Sequence, residues 1–406
     1  VASCDSGPSV GGPGRGEDAA LSGGETTIFN NTSQAFTFPA PNLADLDHHN
    51  DGDLAFESAF VKGPAPVNAG LGPIFSNTAC GACHVGNGRG TLLPPGGSEL
   101  GSLLLRVSVP GTNPDGSGGP NPAPGFGLQL DDHATFGVTP EARTLVTYTE
   151  TIRSFADGHL YSLRKPSYRL TDSYVAAPPD LMVSPRMALP VFGRGLLEAI
   201  SEASILALAD ESDANGDGIS GRPNYVYDYI NHRTTLGRFG WKANQPSLLQ
   251  QSAAAYRGDI GVTNPIFPVE NAYGQAQDDG AADDPELPME TVEEAAFYTQ
   301  TLAVPARRNV NDPMVLRGER LFHQALCGTC HTRTFETGAL PGVPEVSHQV
   351  IHPYTDMLLH DMGDELADGR EDFLATGREW RTPPLWGIGL TGVVQGQTFF
   401  LHDGRA

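Results

Sequence analysis

The sequence predicts a mainly α fold of two related domains that face each other, the first enlarged by long loops and short β insertions. Three observations carry this. The pentapeptide Cys80-Gly-Ala-Cys-His84 returns as Cys327-Gly-Thr-Cys-His331. A second pair of matching segments, Pro190-Val-Phe-Gly-Arg-Gly-Leu196 and Pro384-Leu-Trp-Gly-Ile-Gly-Leu390, follows the two pentapeptides in the same order. Echoes in the same order mark a duplicated unit. The third observation is spacing, 110 residues from Cys80 to Pro190 but 57 from Cys327 to Pro384, which puts the insertion in the first half.

Each pentapeptide reads as an attachment site for a c-type haem. Two thiols one helical turn apart form thioethers to the porphyrin vinyl groups, and the adjoining histidine sits under the iron. A thioredoxin-like pair, half a zinc site or a disulfide would explain one copy. Two copies, using four of the five cysteines, leave those readings little room. The expectation is two covalently bound haem c groups in two cytochrome c-like domains. Cys80, Cys83, His84, Cys327, Cys330 and His331 bind the cofactors, with His84 and His331 on the irons.

With 406 residues, two or three domains with real cores are affordable, and no apolar run approaches a membrane span. The segmentation reads as an extended N-terminal arm at 1–54, a first haem domain with insertions at 55–304 and a second at 305–406. With 49 glycines and 33 prolines, a fifth of the chain, long ordered loops should join modest helices. A formal charge of −23 excludes nucleic acid as a partner and suits a basic electron-donor protein, a small cytochrome or cupredoxin. Haem c attachment implies a periplasmic or cell-surface location. Val1-Ala-Ser-Cys4 resembles the end of a lipoprotein signal, so Cys4 is either a lipid anchor or a spare thiol.

Taken in order, Asp47, His49, Asp51 and Gly52 fall at Ca²⁺-loop offsets, but Ser58 stands at the twelfth, so a polar surface turn is expected. Phe75 and Phe322 lie five residues before Cys80 and Cys327, which predicts the same helix laying an aromatic ring on each porphyrin. Residues 101–175 alternate β-like runs such as 103–109 and 145–148 with Pro/Gly loops, and form the insertion. Residues 196–209 read as helix. Asp213, Asn215, Asp217 and Ile219 then fit a D-x-N-x-D-G Ca²⁺ loop, though Asn224 at the twelfth position lacks a carboxylate; calcium or a plain Asx turn both remain open. The stretch 275–286 reads as an acidic surface loop, and Thr291-x-x-Glu294 as a capping box opening a helix that Pro305 stops.

Several longer segments resemble one family. They are Leu163-Arg-Lys-Pro, Asp213 to Asn224, Gly237-Arg-Phe-Gly-Trp-Lys-Ala243, Pro353-Tyr-Thr-Asp and Glu379-Trp-Arg-Thr-Pro-Pro-Leu-Trp386, together with the paired C-x-x-C-H motifs. Over residues 55–406 the chain resembles the bacterial di-haem oxidoreductases sometimes labelled thiol oxidoreductases, distant relatives of the di-haem cytochrome c peroxidases. The resemblance implies a tryptophan between the haems, matched by Trp241, and on the open face of the peroxidatic haem a glutamine and a carboxylate, matched by Gln251 and Asp259. Glu198 and Glu202 are rival carboxylates. It also implies calcium between the domains, on ligands other than the Asp213 loop. No histidine lies between His84 and His133, which favours an open first iron. The sixth ligand of the second iron lies beyond Ala406 in relatives, or is supplied here by His360, Met357 or Met362.

The expected function is a peroxidase-like oxidoreductase. It reduces hydrogen peroxide, or uses it to oxidise a partner, at an open His84-ligated haem fed by the His331-ligated haem. The alternatives are a periplasmic electron-transfer cytochrome without a substrate pocket and a rubber-cleaving type of oxygenase with an apolar pocket.

Overall fold

Only 23% of the chain is helical in the computed structural model and 22% is strand, in many small sheets, so the fold is not mainly α. The structure describes residues 17–92 and 102–406; Cys4 lies outside them. The mainly α expectation came from the two haem segments, but these supply little helix. Cys80–Cys83 is one helical turn and Cys327–Thr329 a single 3-10 turn. Helices of eight residues or more are confined, among the described residues, to Leu46–Glu57, Leu248–Ala255, Met289–Thr301 and Pro313–Gln324.

The strand content sits largely in the insertion. Arg143–Ser154 and Leu160–Thr171 form an antiparallel hairpin paired over its whole length, far longer than the short β pieces expected. Leu103–Thr112 pairs with Pro120–Asn121, Gln129–Leu130 and Met182–Met187. Successive strand residues point to opposite faces. Leu103, Leu105 and Val107 therefore pack with Phe126, Leu130 and Met187 in a core of their own. Leu104 stands opposite Arg186 in the register, and Arg106 opposite Ser184, so these side chains share the other face.

The largest core draws on both halves, bringing Phe36, Phe192, Leu196, Leu302, Val346 and Trp386 together. At its centre the two matching P-x-aromatic-G-x-G-L segments meet reciprocally. Gly193 and Gly387 both have φ of +68°, the left-handed region where a side chain is strained. A Cβ on Gly193 would lie 2.7 Å from the Trp386 ring, and one on Gly387 2.7 Å from the Phe192 ring. Each repeat's aromatic thus covers the other repeat's glycine.

Several local expectations are corrected. Asp45 to Asp53 is no turn: Asp45 caps the helix Leu46–Glu57 by accepting the His48 N–H at 3.0 Å. Gly52 is required because that helix crosses Met289–Thr301 closely, with a Cβ there only 2.3 Å from Glu294 O. The latter helix starts two residues before Thr291 and has Pro288 at its N-cap, so no capping box forms. The 196–209 helix is split into Arg194–Glu198 and Glu202–Leu206 by a bridge from Ile200 to Thr337. Within the N-terminal arm, Thr27–Ile28 pairs in parallel with Val304–Pro305, and Phe36 is buried in the main core. Phe75 is on a strand and packs against His133, whereas Phe322 is on the helix Pro313–Gln324, 6.2 Å from the His331 ring, so the two phenylalanines do not share a helix.

Candidate functional site: two cavities and a shared wall

Each C-x-x-C-H segment opens onto its own cavity. His84 follows the Cys80–Cys83 turn, its N–H bonded to Cys80 O at 3.0 Å; His331 repeats this with Cys327 O at 3.0 Å. Both rings are oriented alike. His84 Nδ1 lies 2.7 Å from Leu189 O and His331 Nδ1 2.8 Å from Tyr354 O. A carbonyl can only accept, so Nδ1 carries the proton and Nε2 keeps its lone pair for a metal. Burial lowers His84 to about 4, which holds the imidazole neutral as a ligand must be.

The thiols suit attachment better than redox or zinc chemistry. Among the described residues, none of the four motif cysteines is in a disulfide. Burial, reinforced by Asp259, pushes Cys83 up to about 12 and raises Cys80 too, so neither is a ready thiolate. The His84 cavity measures about 180 Å³ and the His331 cavity about 490 Å³. Both expose more apolar than polar wall, as a porphyrin requires. The residues present fit one haem at each motif.

Trp241 lines both cavities, as do Leu189, Pro190 and Arg194. Its ring is tethered by Nε1–H donating to Met187 O at 2.7 Å, and its own carbonyl accepts from Arg381 N at 2.8 Å. Trp380 and His402 meet it edge-on, each 6.4 Å between centroids, and stack on one another at 3.8 Å. His402 is buried beside Arg405, Arg186 and Lys242, which drives it down to about 2 and keeps it neutral.

The His84 cavity is also lined by Gln251 and Asp259. Gln251 is on the helix Leu248–Ala255, which runs into a π turn at Tyr256–Ile260 that carries Asp259. Such turns often mark functional positions. The Asp259 carbonyl is fixed by the N–H groups of Ser76 and Asn77, both at 2.9 Å. Its carboxylate lies 3.7 Å from Arg106 Nη2 and accepts from Gln129 Nε2 at 3.1 Å. Burial raises its pKa, opposed by Arg106 and Gln129. The Gln251 amide makes no hydrogen bond among the described residues. Leu104, Arg106 and Arg186 from the β insertion complete this cavity. Sequence reasoning missed both arginines, because Leu104 interrupts the polar side of the alternation that would have announced the facing residues.

The rival carboxylates are elsewhere. Glu198 accepts from Leu248 N at 2.8 Å and Gln300 Nε2 at 2.6 Å, a structural tie, and Glu202 is exposed. Of the axial candidates, His360 and Met362 line the His331 cavity, whereas Met357 does not. Both His360 nitrogens are engaged, Nδ1 with Ser220 O at 2.9 Å and Nε2 with Asp356 at 2.7 Å. Burial opposes its charge but Asp356 and Cys330 outweigh that, lifting His360 to about 10. In the Asp213 loop the side chains of Asp213, Asn215 and Asp217 accept N–H groups of Gly218, Asp217 and Ile219.

A family model described as "Di-haem oxidoreductase, putative peroxidase" matches residues 17–406. Neither the curated proteins nor the solved structures contain a match to the chain.

Proposed function

Because the chain belongs to the di-haem oxidoreductase family, we propose that it is a peroxidase-like enzyme whose reaction takes place in the His84 cavity, with electrons arriving by way of the His331 cavity. The observation that carries this reading is the contrast between the two sites. Asp259, Gln251 and Arg106 converge on the first, while the second, bounded by Trp380, Trp386 and Pro384 with Arg89, Arg194, Arg381, His360 and His402, has no carboxylate or amide side chain in its wall among the described residues. The motif supports covalent attachment through Cys80, Cys83, Cys327 and Cys330 and with it a periplasmic or cell-surface location, and the formal charge of −23 suits a small basic redox protein as electron donor.

Haem iron, when bound, supplies the one-electron steps that reduction of hydrogen peroxide to two waters requires. The protein's share is protonic and electrostatic. Two protons must enter for every two electrons. Asp259, lifted by burial, can hold a proton at a carboxyl oxygen and return it to the departing oxygen. Arg106 places a positive charge beside the position where negative charge develops. Gln251, with an uncommitted amide, can orient the peroxide. Trp241, in the wall common to both cavities, lies on the route for electrons.

The test uses the oxidised holoprotein. Its absorption and EPR spectra are recorded before and after peroxide, alongside steady-state peroxide consumption. A high-spin signal that peroxide abolishes supports the reading, as does a loss of turnover of about 10²-fold or more in Asp259→Asn with both haem spectra retained. Two low-spin signals indifferent to peroxide, oxidised and half-reduced, would leave an electron-transfer protein.

A further inference from the structure

The hairpin of Arg143–Ser154 and Leu160–Thr171 is charged oppositely to the rest of the molecule. Residues 143–171 hold five arginines and lysines against two acids, a formal +3, while the remainder of the chain sums to −26. The pairing register gathers these charges on one side. Arg153 stands opposite Tyr161, Thr149 opposite Lys165 and Leu145 opposite Arg169. Paired residues share a face, as do alternate residues along a strand, so the odd-numbered positions of both strands lie together. That face has four cations, Arg143, Arg153, Lys165 and Arg169, and no acid. All four are exposed, and none forms an ion pair among the described residues.

The opposite face holds the hairpin to the body. Thr144, Val146 and Pro166 are buried there, and Tyr168 and Leu170 pack against the core of the β insertion. Beyond Tyr148 that support ends, leaving Ile152 70% and Leu160 72% exposed. Among the described residues the two strands pair only with each other. A lone two-stranded ribbon is marginal in water, and its unpaired edges invite a partner. The body presents a complement. Where the helices Leu46–Glu57 and Met289–Thr301 cross, Asp45, Asp47, Asp51, Glu290, Glu293 and Glu294 line a concavity together with His48. None of the six carboxylates forms an ion pair among the described residues.

We propose that the basic face of this hairpin docks on the acidic helical face of a second copy of the chain, the two copies exchanging arms about a two-fold axis. The exchange serves both surfaces at once, because each copy supplies one basic arm and one acidic seat. An anionic bilayer would attract the same cations. Asp157 in the tip turn, where its carboxylate accepts the His159 N–H at 3.0 Å, opposes insertion and favours a protein surface. None of the charged residues of arm or seat lines the His84 or His331 cavity, so the contact stands apart from the proposed chemistry.

The experiment is analytical ultracentrifugation of the holoprotein at about 0.05 M and about 1 M NaCl. The wild type should sediment as a dimer at low salt, with a dissociation constant about tenfold or more higher at high salt. Arg153→Glu/Lys165→Glu and Glu290→Lys/Glu293→Lys should each be monomeric, since arm and seat then carry like charge, while both keep the wild-type haem absorption. Mixed in equal amounts, the two variants should associate, because each arm again meets a seat of opposite charge. Recovery in the mixture separates loss of the contact from loss of the fold. A wild type that stays monomeric at low salt up to about 0.1 mM would overturn the proposal. So would either variant that dimerises alone, or a mixture that does not associate. Pelleting of monomeric wild type with phosphatidylglycerol vesicles would assign the basic face to a membrane instead.

Discussion

Lys242 offers a sharp test of how the two repeats are locked around Trp241. Its ammonium is fully buried and donates to Asp368 Oδ1 at 2.8 Å, Arg370 O at 2.6 Å and Thr376 O at 2.8 Å, tying the Trp241 loop to the second repeat. Burial lowers Lys242 to about 8 despite the pull of Asp368, so the charge itself is not at ease in the fold. The damage on removing it comes from what remains. Lys242→Met strands two carbonyls and leaves Asp368, whose side chain is fully buried, with Arg186 at 3.7 Å, the Arg370 N–H at 2.9 Å and the Ser184 hydroxyl. Breaking a buried pair costs about 3–5 kcal/mol. The remaining Arg186 places this case near about 3 kcal/mol. Unfolding entropy of about 2.1 cal/mol/K per residue gives roughly 0.8 kcal/mol/K for a chain of 406 residues. The melting temperature of the holoprotein should therefore fall by about 3–4 °C. Because the cost lies in the orphaned partner, Lys242→Met/Asp368→Asn should recover part of the loss. Thermal unfolding followed by circular dichroism and by haem absorption reads both. A drop below about 1 °C, or a double variant no more stable than Lys242→Met, would refute the reasoning.

Two further outcomes follow from the same geometry. Glu141 and Asp131 are buried together, Asp131 N–H donating to Glu141 at 2.8 Å; burial raises both carboxyls, reinforced by Asp131 at Glu141 and by Asp259 and Asp132 at Asp131. Carboxyls raised in the fold bind protons that the unfolded chain has released. Their stabilisation is complete below the ordinary carboxylate range and is lost as the pH climbs toward the raised values, at up to about 1.4 kcal/mol per pH unit and group. Melting temperature should thus fall between pH 5 and 8, less steeply in Glu141→Gln; an unchanged slope would remove the carboxyl pair as the cause. Alanine at Gly193 or Gly387 meets both a left-handed backbone and a ring 2.7 Å away, whereas Gly363, at φ +75°, has nothing within 4 Å. Denaturant unfolding should show about 1–2 kcal/mol lost in Gly363→Ala and about 2–4 kcal/mol in either of the others; equal losses would mean the repeats do not pack through their glycines.

The parts of this molecule legible in the sequence are those written in short, rigid motifs. The C-x-x-C-H segments were visible because five residues return at a fixed spacing, and the P-x-aromatic-G-x-G-L repeat because two left-handed glycines leave a trace. The fold class was not visible. A motif of five residues says nothing about the secondary structure between motifs, and the local helical signals at 196–209 and after Thr291 mark only short stretches of the chain. Gly52 shows a second limit: it fitted a metal-loop offset, yet the close crossing with Met289–Thr301 is what excludes a side chain there. Arg106 and Arg186 show a third. Their meeting depends on strand register across about eighty residues of sequence, which no local pattern encodes.

The seam also bears on which aromatic ring suits electron passage. Trp380 has the Arg186 guanidinium 5.2 Å and the Lys242 ammonium 4.6 Å from its ring centre, while Trp241 has, among the described residues, Arg89 at 5.4 Å. A cation held over an aromatic face is attracted by its electrons, and by the same interaction opposes their removal. The stacked His402 adds no charge, being neutral. The two cations over Trp380 are themselves paired with Asp368 and Asp372, which offsets their pull on the ring. Position therefore distinguishes the two rings, because Trp241, unlike Trp380, lines both cavities. Its position depends on three tethers, Met187 from the β insertion, Arg381 from the second repeat and Lys242 beside it in the chain. The insertion that made the fold unreadable as a plain cytochrome pair thus supplies both the charged wall of one cavity and an anchor for the tryptophan between the two.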